Sequence, residues 1–268
     1  MASRLPLPHC ARSRCSRCLV SSDWEPFRDA NGSCTHYVFK PLPMKTLNLR
    51  LYLVTDEHCL PPGRNLFDAV EEALHAGVTL VQYREKNGLG KDMLEKARRL
   101  IALCHRYNVP LLVNDRLDIA LLTGADGVHL GQDDIPVAEA RRLADLFFAN
   151  SVAAHTAGST LPLTGNRFLI GATAHNVQEA LAAEAAGADY LGCGAVFVTH
   201  TKKDTVPLGL EGLKAIRQAV RIPIAGIAGI TTENYRQVLD TGADGVAVVS
   251  GILGAASVCG AVNRFLGQ

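Results

Sequence analysis

The chain has 268 residues, of which 48% are hydrophobic and 20% charged, and its formal net charge at pH 7 is +1. This composition is ordinary for a globular protein. The near-neutral charge gives no bulk attraction to nucleic acid or an anionic membrane. No apolar run approaches the roughly 18 residues that a membrane-spanning helix needs. We therefore expect neither nucleic acid nor a membrane as a partner.

Residues 1–43 are predicted to lie outside the fold. They show neither the period of a strand nor that of a helix, and a regular pattern begins at Met44, which we interpret as a genuine start. Our first interpretation is a disordered extension or a mis-assigned start. A transit peptide is an alternative, because residues 1–22 are rich in Arg and Ser without acids. The other is a zinc site with ligands Cys15, Cys18, Cys34 and His36.

From residue 49 onward, short apolar runs alternate with longer helical patterns. Eight runs are predicted as strands: Leu49–Thr55, Thr79–Arg84, Pro110–Asn114, Gly127–Leu130, Phe168–Thr173, Asp189–Cys193, Pro223–Ile227 and Gly245–Ser250. Eight strand–helix units without an antiparallel hairpin signal predict an all-parallel sheet, closed as a (β/α)8 TIM barrel over residues 44–268. A doubly wound open sheet is the alternative, but no Gly-x-Gly-x-x-Gly fingerprint follows any strand.

Glycine recurs just before four of these strands, at Gly77, Gly124, Gly187 and Gly242. We predict that each glycine ends the preceding helix, where a positive φ is required. Residues 147–166 break the rhythm and are predicted as an inserted loop between the fourth helix and the fifth strand. A helix-to-strand loop lies at the amino-terminal face of a TIM barrel, opposite the active site.

The ends of the predicted strands carry charged side chains, and in a TIM barrel these ends face the active site. Asp115 and Asp134 follow neighbouring strands and can share one Mg²⁺, with substrate phosphates and waters completing the shell. Arg84, Lys86 and Lys202 surround this position with positive charge. That charge exceeds what one carboxylate needs, so a diphosphate is the predicted occupant.

The last two strands end at Gly229 and at Val249-Ser250. Their backbone amides match the phosphate site that TIM barrels often form after strands 7 and 8. The residues therefore predict a site for two phosphorylated small molecules, with one Mg²⁺ on one of them.

Structural explanations stay open for several of these residues. Asp115 alone could be a helix N-cap, and His129 is expected to pack inside the barrel. His175 is either a helix-start residue or a proton carrier. His200 lies between two threonines and is given no catalytic role.

Residues 47–268 resemble the thiamine-phosphate synthase family. The resemblance rests on Gln82-Tyr83-Arg84-Glu85-Lys86, Val113-Asn114-Asp115-Arg116, Val128-His129-Leu130-Gly131-Gln132-Asp133-Asp134, Thr199-His200-Thr201-Lys202-Lys203-Asp204 and Gly245-Val246-Ala247-Val248-Val249-Ser250. Two positions depart from the family pattern: Thr173 replaces a usual Ser, and Ala228 replaces a usual Gly.

The resemblance implies a transferase that joins a pyrimidine diphosphate to a thiazole phosphate. The residues implied for the pyrimidine diphosphate are Gln82, Tyr83, Arg84, Glu85, Lys86, Asn114, Thr173 and Lys202. Those implied for the thiazole phosphate are Thr199, His200, Thr201, Gly229, Val249 and Ser250. Asp115 and Asp134 are implied as Mg²⁺ ligands. Arg84, Lys86 and Lys202 are implied to stabilise the departing diphosphate, so no protein nucleophile is required.

Two other functions are weighed against this one. A thiazole tautomerase on the same barrel would use His175 for proton transfer and needs no diphosphate cradle. A non-catalytic binder of phosphorylated ligands would not need the Asp115–Asp134 pair. Scattered cysteines beyond residue 43 are typical of a reduced, cytoplasmic protein. The oligomeric state stays open, with a homo-oligomer as one alternative.

Overall fold

The computed structural model describes residues 24–28, 34–39, 47–156, 167–199 and 207–268. The chain divides into two units after Pro41. In the first unit, β1 (Trp24–Arg28) and β2 (Cys34–Phe39) pair as an antiparallel two-stranded sheet. This differs from the disordered extension expected there. These short runs carry aromatic and β-branched residues, which favour strands. Cys15 and Cys18 lie outside the described residues, so the zinc site stays a prediction.

The second unit is a closed barrel of eight strands. Each strand pairs in parallel with its neighbour in the chain, and the last strand pairs with the first. The predicted (β/α)8 TIM barrel is therefore confirmed. The strands are β3 (Leu51–Val54), β4 (Leu80–Tyr83), β5 (Leu111–Asn114), β6 (Gly127–Leu130), β7 (Leu169–Ala174), β8 (Tyr190–Cys193), β9 (Ile224–Ile227) and β10 (Gly245–Val248).

Helices follow the strands around the outside of the barrel. They are α1 (Leu66–Ala76), α2 (Gly90–Arg106), α3 (Leu117–Thr123), α4 (Val137–Thr156), α5 (Val177–Ala185), α6 (Gly209–Ala219), α7 (Tyr235–Leu239), α8 (Ser250–Leu253) and α9 (Val258–Leu266). Two helices, α8 and α9, follow the last strand, because the Ser257 side chain accepts from the Gly260 amide and starts a new helix. No helix among the described residues is long and apolar enough to cross a membrane.

The segment predicted as an inserted loop, residues 147–166, is only partly a loop. α4 continues to Thr156, so residues 147–156 are helical. Three alanines in that stretch favour the helix, because alanine has the highest helix propensity. Residues 157–166 lie outside the described residues. The segment still joins the end of α4 to the start of β7, which places its attachment at the amino-terminal face.

Alternation along the strands produces two hydrophobic layers. Tyr52, Val54 and Leu80 belong to a cluster inside the barrel, with partners from β5, β8, β9 and β10. Leu51 and Leu53, on the other side of the same strand, belong to the larger cluster between the strands and the helices. Both layers are buried, which explains why the strands are apolar throughout rather than at alternate positions.

The amino-terminal face carries a repeated side-chain lock between paired strands. Asp126, Asp189 and Asp244 each precede a strand and accept from a backbone amide of the strand before it, at Leu111, Ile170 and Ile224, over 2.7, 2.8 and 2.9 Å. Thr79 Oγ1 does the same for the Leu51 amide at 3.1 Å. Basic residues hold the three aspartates: His105, Arg141 and Arg217.

The four glycines predicted as helix ends stand just before these locking residues. Gly77, Gly124, Gly187 and Gly242 have φ values of 109°, 70°, 92° and 90°. A positive φ at each position is confirmed, and it lets the chain leave the helix and turn directly into the next strand.

Candidate active site

A cavity of about 580 Å³ opens at the carboxyl ends of the barrel strands. Most of the residues predicted from the strand ends line it: Gln82, Arg84, Lys86, Asn114, Asp115, Asp134, Thr173, Thr199, Gly229, Val249 and Ser250. His200, Thr201 and Lys202 lie outside the described residues.

Tyr83 and Glu85 do not line the cavity. Tyr83 is 1% exposed and belongs to the cluster between the strands and the helices. Glu85 turns to its own loop and accepts from the Asn87 amide at 2.8 Å. Successive side chains of an extended segment point to opposite sides, so Gln82, Arg84 and Lys86 face the cavity while the two residues between them cannot. Their placement outside the cavity lining argues against the prediction that Tyr83 and Glu85 hold the diphosphate.

Arg84 is held by Asp56, a residue that the sequence analysis did not select. Arg84 Nη1 donates to Asp56 Oδ2 at 2.9 Å, and the Arg84 amide donates to Thr55 Oγ1 at 3.0 Å. Asp56 Oδ1 also caps the short 3-10 helix that follows β3. Asp56 lies at the end of the first barrel strand, so the strand-end rule itself would have found it.

Asp115 and Asp134 lie together at the edge of the cavity. Lys86 Nζ donates to Asp115 Oδ2, and Asp134 Oδ2 accepts from the Gly131 amide at 2.6 Å. Burial and a hydrogen bond with Asp115 raise the pKa of the Asp134 carboxyl. The Asp115 backbone has a φ of 60°, a conformation that is uncommon for a residue other than glycine. Such strain is frequent where a side chain must be aimed at a ligand.

The amide of Asn114 is buried at the wall of the cavity. Asn114 is 7% exposed, and its Nδ2 finds no hydrogen-bond partner in the part of the chain that the structure describes. An unpaired buried donor costs free energy. A ligand oxygen in the cavity would satisfy it.

The floor of the cavity is a buried polar network. Tyr52 Oη lies 2.7 Å from Tyr190 Oη, and Tyr190 Oη lies 2.8 Å from His129 Nδ1. His129 Nε2 lies 3.1 Å from Thr173 Oγ1, and Gln82 Nε2 donates to Tyr52 Oη. Burial lowers the pKa of His129 to about 4 and raises the pKa values of both tyrosines. His129 packs inside the barrel as expected, and it also reaches the cavity.

His175 stands at the rim of the cavity and is oriented by Glu179. Its Nδ1 lies 2.9 Å from Glu179 Oε2, which also accepts from the His175 backbone amide at 2.8 Å. Asn176 caps α5 by accepting from the Glu179 amide. His175 is therefore the residue before the N-cap of α5, and its Nδ1 is hydrogen-bonded to Glu179.

The loops after β9 and β10 bring backbone to the other side of the cavity. Gly229 has a φ of 65°, and a Cβ there would lie 2.4 Å from the Val198 carbonyl oxygen, so only glycine fits. The preceding Ala228 also has a positive φ, 81°, where a side chain is strained. Val249 and Ser250 line the same side of the cavity at the start of α8, because β10 is the neighbouring strand of β9.

The chain is similar in sequence and in fold to known proteins of one family. A family model described as thiamine monophosphate synthase matches residues 51–157 and 155–252. A thiamine-phosphate synthase of Clostridium acetobutylicum is 44% identical over 215 residues, covering 80% of this chain and 92% of that relative. One from Chloroflexus aurantiacus is 48% identical, covering 80% and 90%. A solved thiamine phosphate pyrophosphorylase from Pyrococcus furiosus is 37% identical with a TM-score of 0.68, covering 82% of this chain and 94% of that chain.

The closed barrel and its cavity define a TIM-barrel enzyme with its active site at the carboxyl ends of the strands. The residues that match the family model include all eight barrel strands. The chain belongs to the thiamine monophosphate synthase family. This confirms the resemblance and, with it, the prediction of a transferase.

Proposed function

We propose that this protein is a thiamine-phosphate synthase. It condenses 4-amino-2-methyl-5-(diphosphooxymethyl)pyrimidine with 4-methyl-5-(2-phosphoethyl)thiazole to form thiamine monophosphate and pyrophosphate. With the carboxylate of that thiazole as the substrate, CO2 is released as well. The observation that carries the proposal is family membership together with a cavity lined by the cations, carboxylates and amide that two phosphorylated substrates require.

The pyrimidine diphosphate binds between Gln82, Arg84, Lys86, Asn114 and Thr173. Arg84 suits this role because Asp56 already fixes its guanidinium beside the cavity. Asn114 offers a buried amide donor that has no partner among the described residues. Lys202 adds a third cation, as the family resemblance implies. Charged and amide donors of this kind recognise phosphate oxygens.

Asp115 and Asp134 are proposed to hold one Mg²⁺. The described residues contain no group of three or more His, Cys, Asp or Glu placed for a metal ion, so the protein would supply two carboxylates. Mg²⁺ is commonly held this way, with phosphate oxygens and waters as the other ligands. Burial, and then a hydrogen bond with Asp115, raise the pKa of Asp134. The two carboxyl groups are thus close enough for one divalent cation to bind both in place of a proton. Bound there, the ion would neutralise charge on the diphosphate.

The thiazole phosphate binds on the opposite side, at Gly229, Val249 and Ser250, with Thr199 to Thr201 completing the site. Gly229 packs closely against the Val198 carbonyl, and its own carbonyl accepts from Asn234 Nδ2 at 3.0 Å, so the loop is fixed where it lines the cavity. This position agrees with the phosphate site that TIM barrels form after their last two strands.

The chemistry needs no protein nucleophile. The carbon–oxygen bond to the diphosphate breaks first, and the electron pair leaves with the pyrophosphate. The thiazole nitrogen then donates its lone pair to the pyrimidine-methyl cation and forms the new carbon–nitrogen bond. Arg84, Lys86 and Lys202 stabilise the charge that develops on the leaving group. The apolar interior beneath, formed by Tyr52, Val54 and Ala247, keeps water from the cation.

Pyrophosphate release tests the function. The full chain with both substrates and Mg²⁺ should release one pyrophosphate per thiamine monophosphate. The control is Arg84→Gln, which keeps a polar amide on a shorter side chain but loses the charge, and should be much slower. Isomerisation of the thiazole without pyrophosphate would favour a tautomerase, and binding without turnover would favour a ligand-binding protein.

We further propose a cytoplasmic enzyme. Cys59, Cys104, Cys193 and Cys259 are free thiols, which suits a reducing compartment. Fractionation of cells that express the full chain would test this.

A further inference from the structure

Five side chains from five strands form one continuous hydrogen-bonded line across the barrel floor. It runs from Gln82 on β4 through Tyr52 on β3, Tyr190 on β8 and His129 on β6 to Thr173 on β7. The first four are buried, with exposures of 3, 1, 0 and 8%. Thr173 is partly exposed and lines the cavity. The line therefore crosses the buried floor and meets the cavity at both ends, because Gln82 lines it as well.

The barrel makes room for this line at two glycines. A Cβ at Gly171 would lie 2.2 Å from Cζ of the Tyr190 ring, and one at Gly192 would lie 3.0 Å from Cε1 of His129. Both distances are too short for a real side chain. The tyrosine and the histidine are thus seated in gaps that any larger residue would close.

The line has a direction, because each hydroxyl carries one hydrogen. Tyr52 Oη accepts from the Gln82 amide nitrogen, which leaves its own hydrogen for Tyr190. Either hydroxyl can be the donor in that contact, and we assign Tyr52 as the donor. Tyr190 then donates to His129 Nδ1. A neutral imidazole that accepts at Nδ1 carries its hydrogen on Nε2, and this hydrogen is donated to Thr173 Oγ1.

We propose that this line fixes the Thr173 hydroxyl as a hydrogen-bond donor into the cavity, which makes Tyr52, Tyr190 and His129 positioning residues for an anionic oxygen. Because Thr173 already accepts from His129, its remaining hydrogen faces the ligand. A fixed donor favours an oxygen that only accepts, as on a diphosphate, over a hydroxyl or an amine. The identity of that ligand rests on the proposed function; the direction of the line does not.

The tautomer of His129 tests the direction without any substrate. Nitrogen-15 labelling of the histidines in the full chain, with His129 assigned by its absence from His129→Asn, should show hydrogen on Nε2 at pH 7. Tyr190→Phe removes the donor to Nδ1 and should mix the two tautomers. Hydrogen on Nδ1 in the unmodified chain would reverse the line and overturn the inference, since the Thr173 hydrogen would then be spent on His129.

A double-mutant cycle tests the consequence for the ligand. Tyr190→Phe should lower kcat/KM for the pyrimidine diphosphate by about tenfold, the size of one hydrogen bond to a charged group, and leave KM for the thiazole phosphate unchanged. In a Thr173→Val background the same change should have little further effect, whereas in Thr173→Ser it should again be about tenfold. Losses that simply add in the valine background would overturn the inference.

If Tyr190→Phe does not fold, Tyr52→Phe is used in its place in both experiments, because it removes the hydrogen bond between Tyr52 and Tyr190. If the unmodified chain released no pyrophosphate, the proposed function would fail, and the tautomer measurement would still decide the direction of the line.

Discussion

Lys86 and Asp115 form an ion pair that joins the ends of β4 and β5 at the mouth of the cavity. Asp115 holds this position with a backbone φ of 60°. Both residues are proposed to change partners on binding, the lysine to the diphosphate and the aspartate to Mg²⁺. In the absence of substrate, each residue of the pair therefore neutralises the charge of the other at the mouth of the cavity.

Asp115→Asn should act mainly on kcat. The change removes one negative charge and one strong Mg²⁺ ligand while preserving shape, so turnover should slow by roughly 10²- to 10⁴-fold. Asp134→Asn should behave similarly, and the double variant should be less than additive, because both residues serve one ion. Steady-state kinetics over a Mg²⁺ titration measure this, with partial rescue at high Mg²⁺.

Asp118→Asn is the matched control, because Asp118 lies on α3 and pairs with Arg116 outside the main cavity. It should leave kcat nearly unchanged. Near-normal turnover of Asp115→Asn at low Mg²⁺ would make Asp115 a structural residue.

Tyr83→Phe should leave kcat/KM unchanged, contrary to what the motif implies. The Tyr83 hydroxyl is buried behind the strand and finds no partner among the described residues. Removing it deletes an unsatisfied polar group, so the free energy of unfolding should stay equal or rise by up to about 1 kcal/mol. Urea unfolding and substrate kinetics check both parts. A tenfold loss of kcat/KM in a folded variant would return Tyr83 to the substrate site.

Ala228→Gly should stabilise the protein. A φ of 81° strains alanine by about 1–2 kcal/mol, and the greater freedom of glycine in the unfolded chain offsets part of that gain. The net increase in unfolding free energy should be about 0.5 kcal/mol, and KM for the thiazole phosphate should fall. Ala225→Gly, on the strand that precedes Ala228 and buried, should instead destabilise. If both changes destabilise equally, the strain at residue 228 is negligible.

Stability should depend on pH through His129. Its pKa is lowered from 6.5 to about 4 by burial, so the unfolded chain binds this proton more readily. The free energy of unfolding is therefore highest with respect to His129 above pH 6.5. It decreases as the pH falls towards 4, by at most about 3 kcal/mol. Urea unfolding of the unmodified chain and of His129→Asn across pH 4.5 to 7.5 isolates this slope, because the other histidines cancel. Parallel curves would contradict it.

The sequence was most informative where chemistry and periodicity agree. Arg84 and Lys86 were found because charged side chains at a strand end have few structural explanations. Tyr83 and Glu85 were assigned to the substrate site because the motif was taken as a block. The two-residue period of the strand instead directs both side chains away from the cavity. The Tyr52–Tyr190 contact could not be predicted, because the two residues are 138 positions apart. In the sequence, each tyrosine is indistinguishable from an ordinary residue of the hydrophobic core. The β1–β2 pairing was missed because neither strand shows a regular alternation of apolar and polar residues.

The locks on the amino-terminal face make the barrel modular. Thr79, Asp126, Asp189 and Asp244 tie the strands in consecutive pairs, β3 with β4, β5 with β6, β7 with β8 and β9 with β10. Each pair carries its own lock, so the ring consists of four quarter-barrels. A border after α2, α4 or α6 keeps each strand pair whole but separates the locking aspartate from the basic residue that holds it, His105, Arg141 or Arg217. An exchanged quarter therefore needs a compatible basic residue on the helix that precedes it.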